Sequence, residues 1–145
     1  MNARVIERAH PGDIGDIEDL LTAAGLPIEG AKGHMEYFFV AREGGSLDGV
    51  IGLEPYGEEG LLRSLAVRES RRSKGIGSDL YLRLIDEARS LGIRRLILLT
   101  TTAGNYFSAR GFHSVDRSTI RGALGRSAEF AGACPESAIC MELVL

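Results

Sequence analysis

Leu65-Ala66-Val67-Arg68-Glu69-Ser70-Arg71-Arg72-Ser73-Lys74-Gly75-Ile76-Gly77-Ser78 is the stretch on which the reading of this chain turns. It begins as the end of a strand, Gly60 to Val67, and ends as the opening of a helix. The helix is marked by Ile76, Leu80, Tyr81, Leu84, Ile85, Ala88 and Leu91, which recur at three-to-four-residue steps before Gly92 stops them. Between strand and helix lies a basic loop with two glycines. Freed amides and the positive dipole end at a helix N-terminus make an anion site, and glycine lets the backbone approach a phosphate closely. Arg71, Arg72 and Lys74 add positive charge there, and the chemistry called for is a diphosphate. The plainer alternative is a turn with solvated basic residues. A Walker-type loop would carry Lys-Ser or Lys-Thr after its last glycine, but Ser78-Asp79 follow Gly77. A dinucleotide fingerprint would need a third glycine where Leu80 stands.

Working outward, Arg95 to Thr102 is an apolar run bounded by turn signals and reads as a strand buried on both faces. Val67 to Arg95 is therefore a strand–helix–strand unit with a right-handed crossover. Upstream, Arg4 to Arg8 reads as a strand, Pro11 to Leu21 as a helix stopped by Gly25, and Gly30 to Met35 as a short helix. Tyr37 to Ala41 reads as a buried strand ending at the turn Gly44-Gly45-Ser46. Asp48 to Pro55 and Gly60 to Val67 continue a meander of hairpins. Downstream, the spacing predicts helices over Ala103 to Arg110 and Thr119 to Ala131, and strands over Phe112 to Val115 and Ser137 to Leu145. The fold class is mixed α/β, with antiparallel strands first and one parallel pair after them.

Length and composition fit that frame. With 145 residues, 44% hydrophobic and 26% charged, the chain suits one globular domain over residues 1–145, without repeats or low-complexity tracts. The longest apolar run, Tyr37 to Ala41, is far short of a membrane span. No secretory signal is visible at the N-terminus, so the expected location is the cytoplasm. A net charge of −3 gives no overall field to attract nucleic acid or an anionic membrane. Cys134 and Cys140 read as two reduced, buried thiols, and no His, Cys, Asp or Glu cluster has metal-ligand spacing.

The motif Arg72-x-x-Gly75-x-Gly77, preceded by Leu65-Ala66-Val67 and followed by the amphipathic helix, resembles the acetyl-coenzyme-A signature of the GCN5-related N-acetyltransferases. Asn105-Tyr106-Phe107-Ser108-Ala109-Arg110-Gly111-Phe112 resembles that superfamily's second landmark, a short helix ending in Gly-Phe before a strand. The element order matches along the whole chain. More narrowly, Leu99-Thr100-Thr101-Thr102-Ala103, Tyr106-Phe107 and Ala128-Glu129-Phe130-Ala131 through Cys134-Pro135 to Cys140 resemble the small acetyltransferases associated with arsenic resistance. They are also similar to the acetyltransferase domain of N-acetylglutamate synthases.

The resemblance implies that amides from Ser73 through Lys74, Gly75, Ile76 and Gly77 to Ser78 hold the pyrophosphate of acetyl-CoA, with Arg71, Arg72 and Lys74 assisting. It implies that Leu65, Ala66 and Val67 pair with the pantetheine arm in a gap between splayed parallel strands, and that Asn105 and Phe107 lie beside the arm. The superfamily's usual tyrosine, four residues before the glycine of Gly-Phe, is replaced here by Phe107. Tyr106 is the displaced candidate for protonating the leaving thiolate, against a packing role.

The implied reaction is transfer of acetyl to the primary amine of a small acceptor, an amino acid or a glutamate-like toxic analogue. An ammonium must lose a proton before it attacks, and Glu54 is the first choice of base, with Glu29 and His34 next, on a connection that shapes the acceptor pocket. Arg63, close to Leu65, is the candidate for an acceptor carboxylate. The partners expected are the small amine and, as a homodimer, a second copy of the chain. Nucleic acid, membrane and metal are not expected. The rivals are acetylation of a protein or peptide amine, and a non-catalytic module that only binds acetyl-CoA.

Overall fold

The computed structural model describes residues 3–145. Its centre is one mixed sheet of seven strands in the order β1-β2-β3-β4-β5-β7-β6. The antiparallel part is β1 (Val5–Arg8), β2 (Phe38–Glu43), β3 (Ser46–Tyr56) and β4 (Glu59–Val67). The helix α2 (Ile76–Ser90) then crosses over to β5 (Arg95–Thr100), parallel to β4, and β7 (Ile139–Val144) pairs antiparallel with β5 and with the short β6 (His113–Ser114). The expected fold class is the one observed.

Alternation along the strands sorts the core. Phe39 and Ala41 of β2 and Leu96 and Leu98 of β5 pack with the α2 residues Ile76, Leu80, Leu84 and Ala88. Phe38 and Val40 face the other way, onto Ile17, Leu20 and Leu21 of α1 (Ile14–Ala23), and Ile97 packs with Leu61, Ile120 and Leu124. A two-residue period in the strands and a 3.6-residue period in the helices thus put α1 and α2 on opposite faces of the sheet.

Three expectations are corrected. Gly30 to Met35 is not an α-helix but leads into a 3-10 turn at Lys32–Tyr37 that carries a non-helical His34. Strand β5 ends at Thr100 rather than Thr102. Thr119 to Ala131 is not one helix. It is broken into a 3-10 turn at Arg117–Thr119, the single turn α4 (Gly122–Gly125), and a wide turn at Glu129–Ala133. Gly122, at a φ of +71° where α4 begins, and Gly132, at +134° inside the wide turn, hold backbone conformations that the interior of one continuous α-helix does not accommodate. The remaining helix, α3 (Gly104–Ser108), lies inside its expected range. Among the described residues no helix is long and apolar enough to cross a membrane.

Candidate functional site

Strands β4 and β5 pair over only Glu59 to Leu61 against Arg95 to Ile97. Beyond that both strands continue, β4 along β3 and β5 along β7, so their facing edges diverge without a partner among the described residues. The divergence has a local cause in β4. Val50 faces Ala66 and Gly52 faces Arg63, so Ile51 alone opposes Ser64 and Leu65, a bulge in which Ser64 takes a φ of +63°. A left-handed serine costs about 1–3 kcal/mol and persists where the surroundings fix it, often at a site of function. The bulge bends β4 away from β5 and resets the alternation, since Leu62, Leu65 and Val67 all pack toward the α2 side.

A cavity of about 790 Å³ opens in the gap. Its walls are Leu62 to Val67 of β4, Leu98 to Ala103 at the end of β5, and Tyr106 and Phe107 of α3. One end is bounded by Arg72 and Gly77. The other is bounded by Pro27 and Glu29 after α1, and by Glu129, Ala133, Cys134 and Pro135 before β7.

At the Gly77 end the loop folds as an anion site requires. Gly75 caps α2 at a φ of +81°, and Asp79 makes the first i to i−4 bond, onto the Gly75 carbonyl. The amides of Ile76, Gly77 and Ser78 therefore precede any acceptor within the helix. Arg4 ties the loop down by donating to the Lys74 carbonyl at 2.7 Å and to Asp79 at 2.5 Å. The hydroxyl of Tyr106 is buried, has no hydrogen-bond partner, and lies 3.5 Å from where a Cβ on Gly77 would stand. Burial raises its pKa, so the phenol keeps its proton to donate.

The basic residues divide. Arg72 donates to the Val67 carbonyl at 3.3 Å and lines the cavity, and Lys74 is exposed on the loop. Arg71 corrects the expectation, because its guanidinium turns away onto Glu43 and lies 3.4 Å from Asp48. Ser73, at a φ of +66°, forms the turn, while the Ile76 side chain is sunk in the core. Asn105 is exposed and outside the cavity wall, whereas Phe107 lines it from the core.

The acceptor-side candidates need larger corrections. Arg63 is neither solvated nor free. It is 2% exposed, and it donates to the Glu54 carboxylate at 2.8 Å, to the carbonyls of Glu29 and Pro27 at 2.7 and 3.2 Å, and to the Ser64 hydroxyl at 3.0 Å. With four N–H groups used and a guanidinium offering five, no two-pronged grip on an acceptor carboxylate is left. Glu54 is fully buried, takes that ion pair together with the Tyr56 hydroxyl, and forms no part of the cavity wall, so the role of base does not fall to it. His34 also lies outside the wall, with Nδ1 2.9 Å from the Gly30 carbonyl and 3.7 Å from Glu54. Glu29 does reach the wall.

Glu129, absent from the sequence-based candidates, is the buried acid of the wall. Only 3% exposed, it lies 3.5 Å from Arg63 Nε, and its main-chain carbonyl accepts from the Cys134 amide at 3.1 Å. Burial raises its pKa to about 7 against the opposing pull of Arg63. Cys134, also in the wall, is held as a thiol by burial and by Glu129, its pKa pushed up to about 12. Cys134 and Cys140 are both free and buried, as expected.

Known proteins are similar to this chain in sequence and fold. An amino-acid acetyltransferase of Neisseria meningitidis serogroup A is 32% identical over 124 residues, which are 79% of this chain and 28% of that protein. The chain therefore spans under a third of the length of that relative. The structure of N-acetylglutamate synthase from Neisseria gonorrhoeae, complexed with coenzyme A and N-acetyl-glutamate, superposes with a TM-score of 0.84 at 27% identity. The superposition covers 99% of this chain and 35% of that one. The protein Rv2747 from Mycobacterium tuberculosis, in complex with CoA and NLQ, shares the fold over 97% of this chain and 99% of its own, with a TM-score of 0.81 at 24% identity. The profile of the Acetyltransferase (GNAT) family matches residues 10–114, a span that runs from α1 through the bulged strand, the glycine loop and α3 to β6. The chain belongs to the GNAT family of acetyltransferases.

Proposed function

We propose that this chain transfers acetyl from acetyl-CoA to the primary amine of a small acceptor, within a complex of both substrates. The observation that carries the reading is the cavity between the diverging edges of β4 and β5, which joins an anion site at Gly77 to a polar chamber at Glu129. The residues fit acetyl-CoA. Three free amides at the start of α2 and the unpartnered Tyr106 hydroxyl suit its pyrophosphate, with Arg72 and Lys74 adding charge. The edge of β4 at Leu65, Ala66 and Val67 suits the amide-bearing pantetheine arm. Tyr106, directed at Gly77, serves binding on this reading, and Phe107 has no proton to give. Acetyl-CoA supplies a thioester carbonyl open to an amine, with a thiolate as leaving group.

The finer reading, an amino acid or a glutamate-like toxic analogue as acceptor, draws its support from the similarity to an amino-acid acetyltransferase and to N-acetylglutamate synthase. A role in arsenic resistance rests on the subgroup resemblance, and its check is whether deleting the gene sensitises cells to arsenicals. The direct test is thiol release from acetyl-CoA across a panel of amino acids, simple amines and peptides. Turnover with small amines supports the reading. Turnover with peptides alone favours a protein acetyltransferase, and binding with no turnover favours a non-catalytic module.

A further inference from the structure

An acetyl transfer to an ammonium needs a proton acceptor where the nitrogen will sit, and with Glu54 sealed off that place has to be filled from the cavity wall itself. Among the described residues of the wall the carboxylates are Glu29 and Glu129. Glu29 is an exposed side chain at the mouth. Glu129 has a side chain only 4% exposed, its carboxylate faces the Arg63 guanidinium at 3.5 Å, and its main-chain carbonyl is held by the Cys134 amide at 3.1 Å. Arg63 immediately precedes the bulge of Ser64 and Leu65, so the carboxylate stands beside the bend where β4 leaves β5. The packing that holds it there is close. Gly30, at a φ of +82°, is closely approached, because a Cβ would lie 3.1 Å from both Arg63 Nη1 and the Ala128 Cβ, so a side chain there would have to push these neighbours aside by a few tenths of an ångström.

We propose that Glu129 is the base that takes the proton from the acceptor ammonium, an assignment that rests on the acetyl-transfer reading above. The carboxylate accepts one proton from R–NH3+ and so exposes the nitrogen lone pair. The amine then attacks the thioester carbonyl carbon. A C–N bond forms, the C–S bond breaks, and its electron pair leaves on the coenzyme A sulfur. The second proton shed by the nitrogen goes to that sulfur, and the proton on Glu129 returns to water, so the products are the acetamide, coenzyme A thiol and one proton.

The charged groups facing Glu129 bear on its proton affinity. Arg63 and Cys134 lower it, Glu54 and Glu29 raise it, and Arg117 in turn lowers that of Cys134. With desolvation as the largest influence, the outcome is a carboxyl with a pKa of about 7, a value at which a base is both available and strong enough to act near neutral pH.

The test compares two nucleophiles on the intact chain. One is the small amine that ranks first in the panel, an ammonium at neutral pH. The other is hydroxylamine, which is largely unprotonated there and needs no base before it attacks. Glu129→Gln is expected to slow transfer to the ammonium acceptor by ~10²-fold or more, and transfer to hydroxylamine by less than about threefold. Its affinity for acetyl-CoA should stay within about threefold of wild type. In the wild-type chain, kcat/KM for the ammonium acceptor should rise through a limb near pH 7 that hydroxylamine does not show, a measurement that needs no variant. Equal losses for both nucleophiles, an unimpaired Glu129→Gln, or the absence of that limb would each overturn the assignment. If wild type transfers acetyl to neither nucleophile, the acetyl-transfer reading falls first and takes the role of Glu129 with it.

Discussion

Glu129 and Arg63 are a buried acid and a buried base whose costs are opposite in sign. The folded pKa of Glu129, about 7, lies above its ordinary 4.5, so folding favours the protonated carboxyl. The penalty on the charged form is absent below the lower value, grows between the two and is fully present above the higher. Glu129→Gln should therefore stabilise the fold at about pH 8.5, by on the order of 3 kcal/mol, and leave it unchanged at about pH 4. Urea unfolding at the two pH values measures this, and a gain independent of pH would contradict it. Arg63→Ala should act the other way, since it leaves the fully buried Glu54 without its guanidinium partner. The expected loss is about 3–5 kcal/mol, read by the same unfolding curves.

At the scale of elements, the bulge in β4 and the start of α2 make separate demands. Gly52, opposite Arg63, lies under the Phe38 ring, and a Cβ there would come within 2.4 Å of a ring carbon. Gly52→Ala should cost about 1–3 kcal/mol, seen as a lowered Tm, because the ring is wholly buried and can move only by disturbing the α1 face. Gly77 is different. A Cβ there meets nothing closer than the Tyr106 hydroxyl at 3.5 Å and Val67 at 3.8 Å. Gly77→Val should fold with little change in Tm yet weaken acetyl-CoA binding by at least about tenfold, because it fills the space beside the helix amides. Calorimetric titration checks it, and unchanged affinity in a folded variant would remove the phosphate from this loop.

The elements differ in how much of them could be read from the sequence. The loop and α2 were legible because two glycines, three basic residues and a seven-position apolar stripe all require the same strand–turn–helix geometry. The expectation of one helix over Thr119 to Ala131 fails because Ile120 and Leu124, four residues apart, do fit a helical turn, while Gly122 and Gly132 hold positive φ values that only tertiary contacts decide. Glu54 was placed correctly in chain order on the strand beside β4. Nothing in its neighbourhood showed that Arg63 and Tyr56 would close over it. Glu129 carried one signal, its place in the Ala128 to Cys140 segment singled out by resemblance. Its burial depends on a turn with no periodicity to read.

Across the whole molecule, a chain of net charge −3 gathers positive charge at one end of its cavity and carboxylates at the other. The sheet supplies the space between them by letting two parallel strands pair for three residues and then part. The roles assigned to the other residues depend on acetyl-CoA lying in that gap. Backbone amide chemical shifts of the chain, followed by NMR during titration with acetyl-CoA, test it most directly. Saturable shifts are expected at Leu65 to Val67, at Gly75 to Ser78 and at Tyr106, with β1 and β2 unmoved. Saturating shifts confined to other parts of the sheet, or none at all, would contradict it.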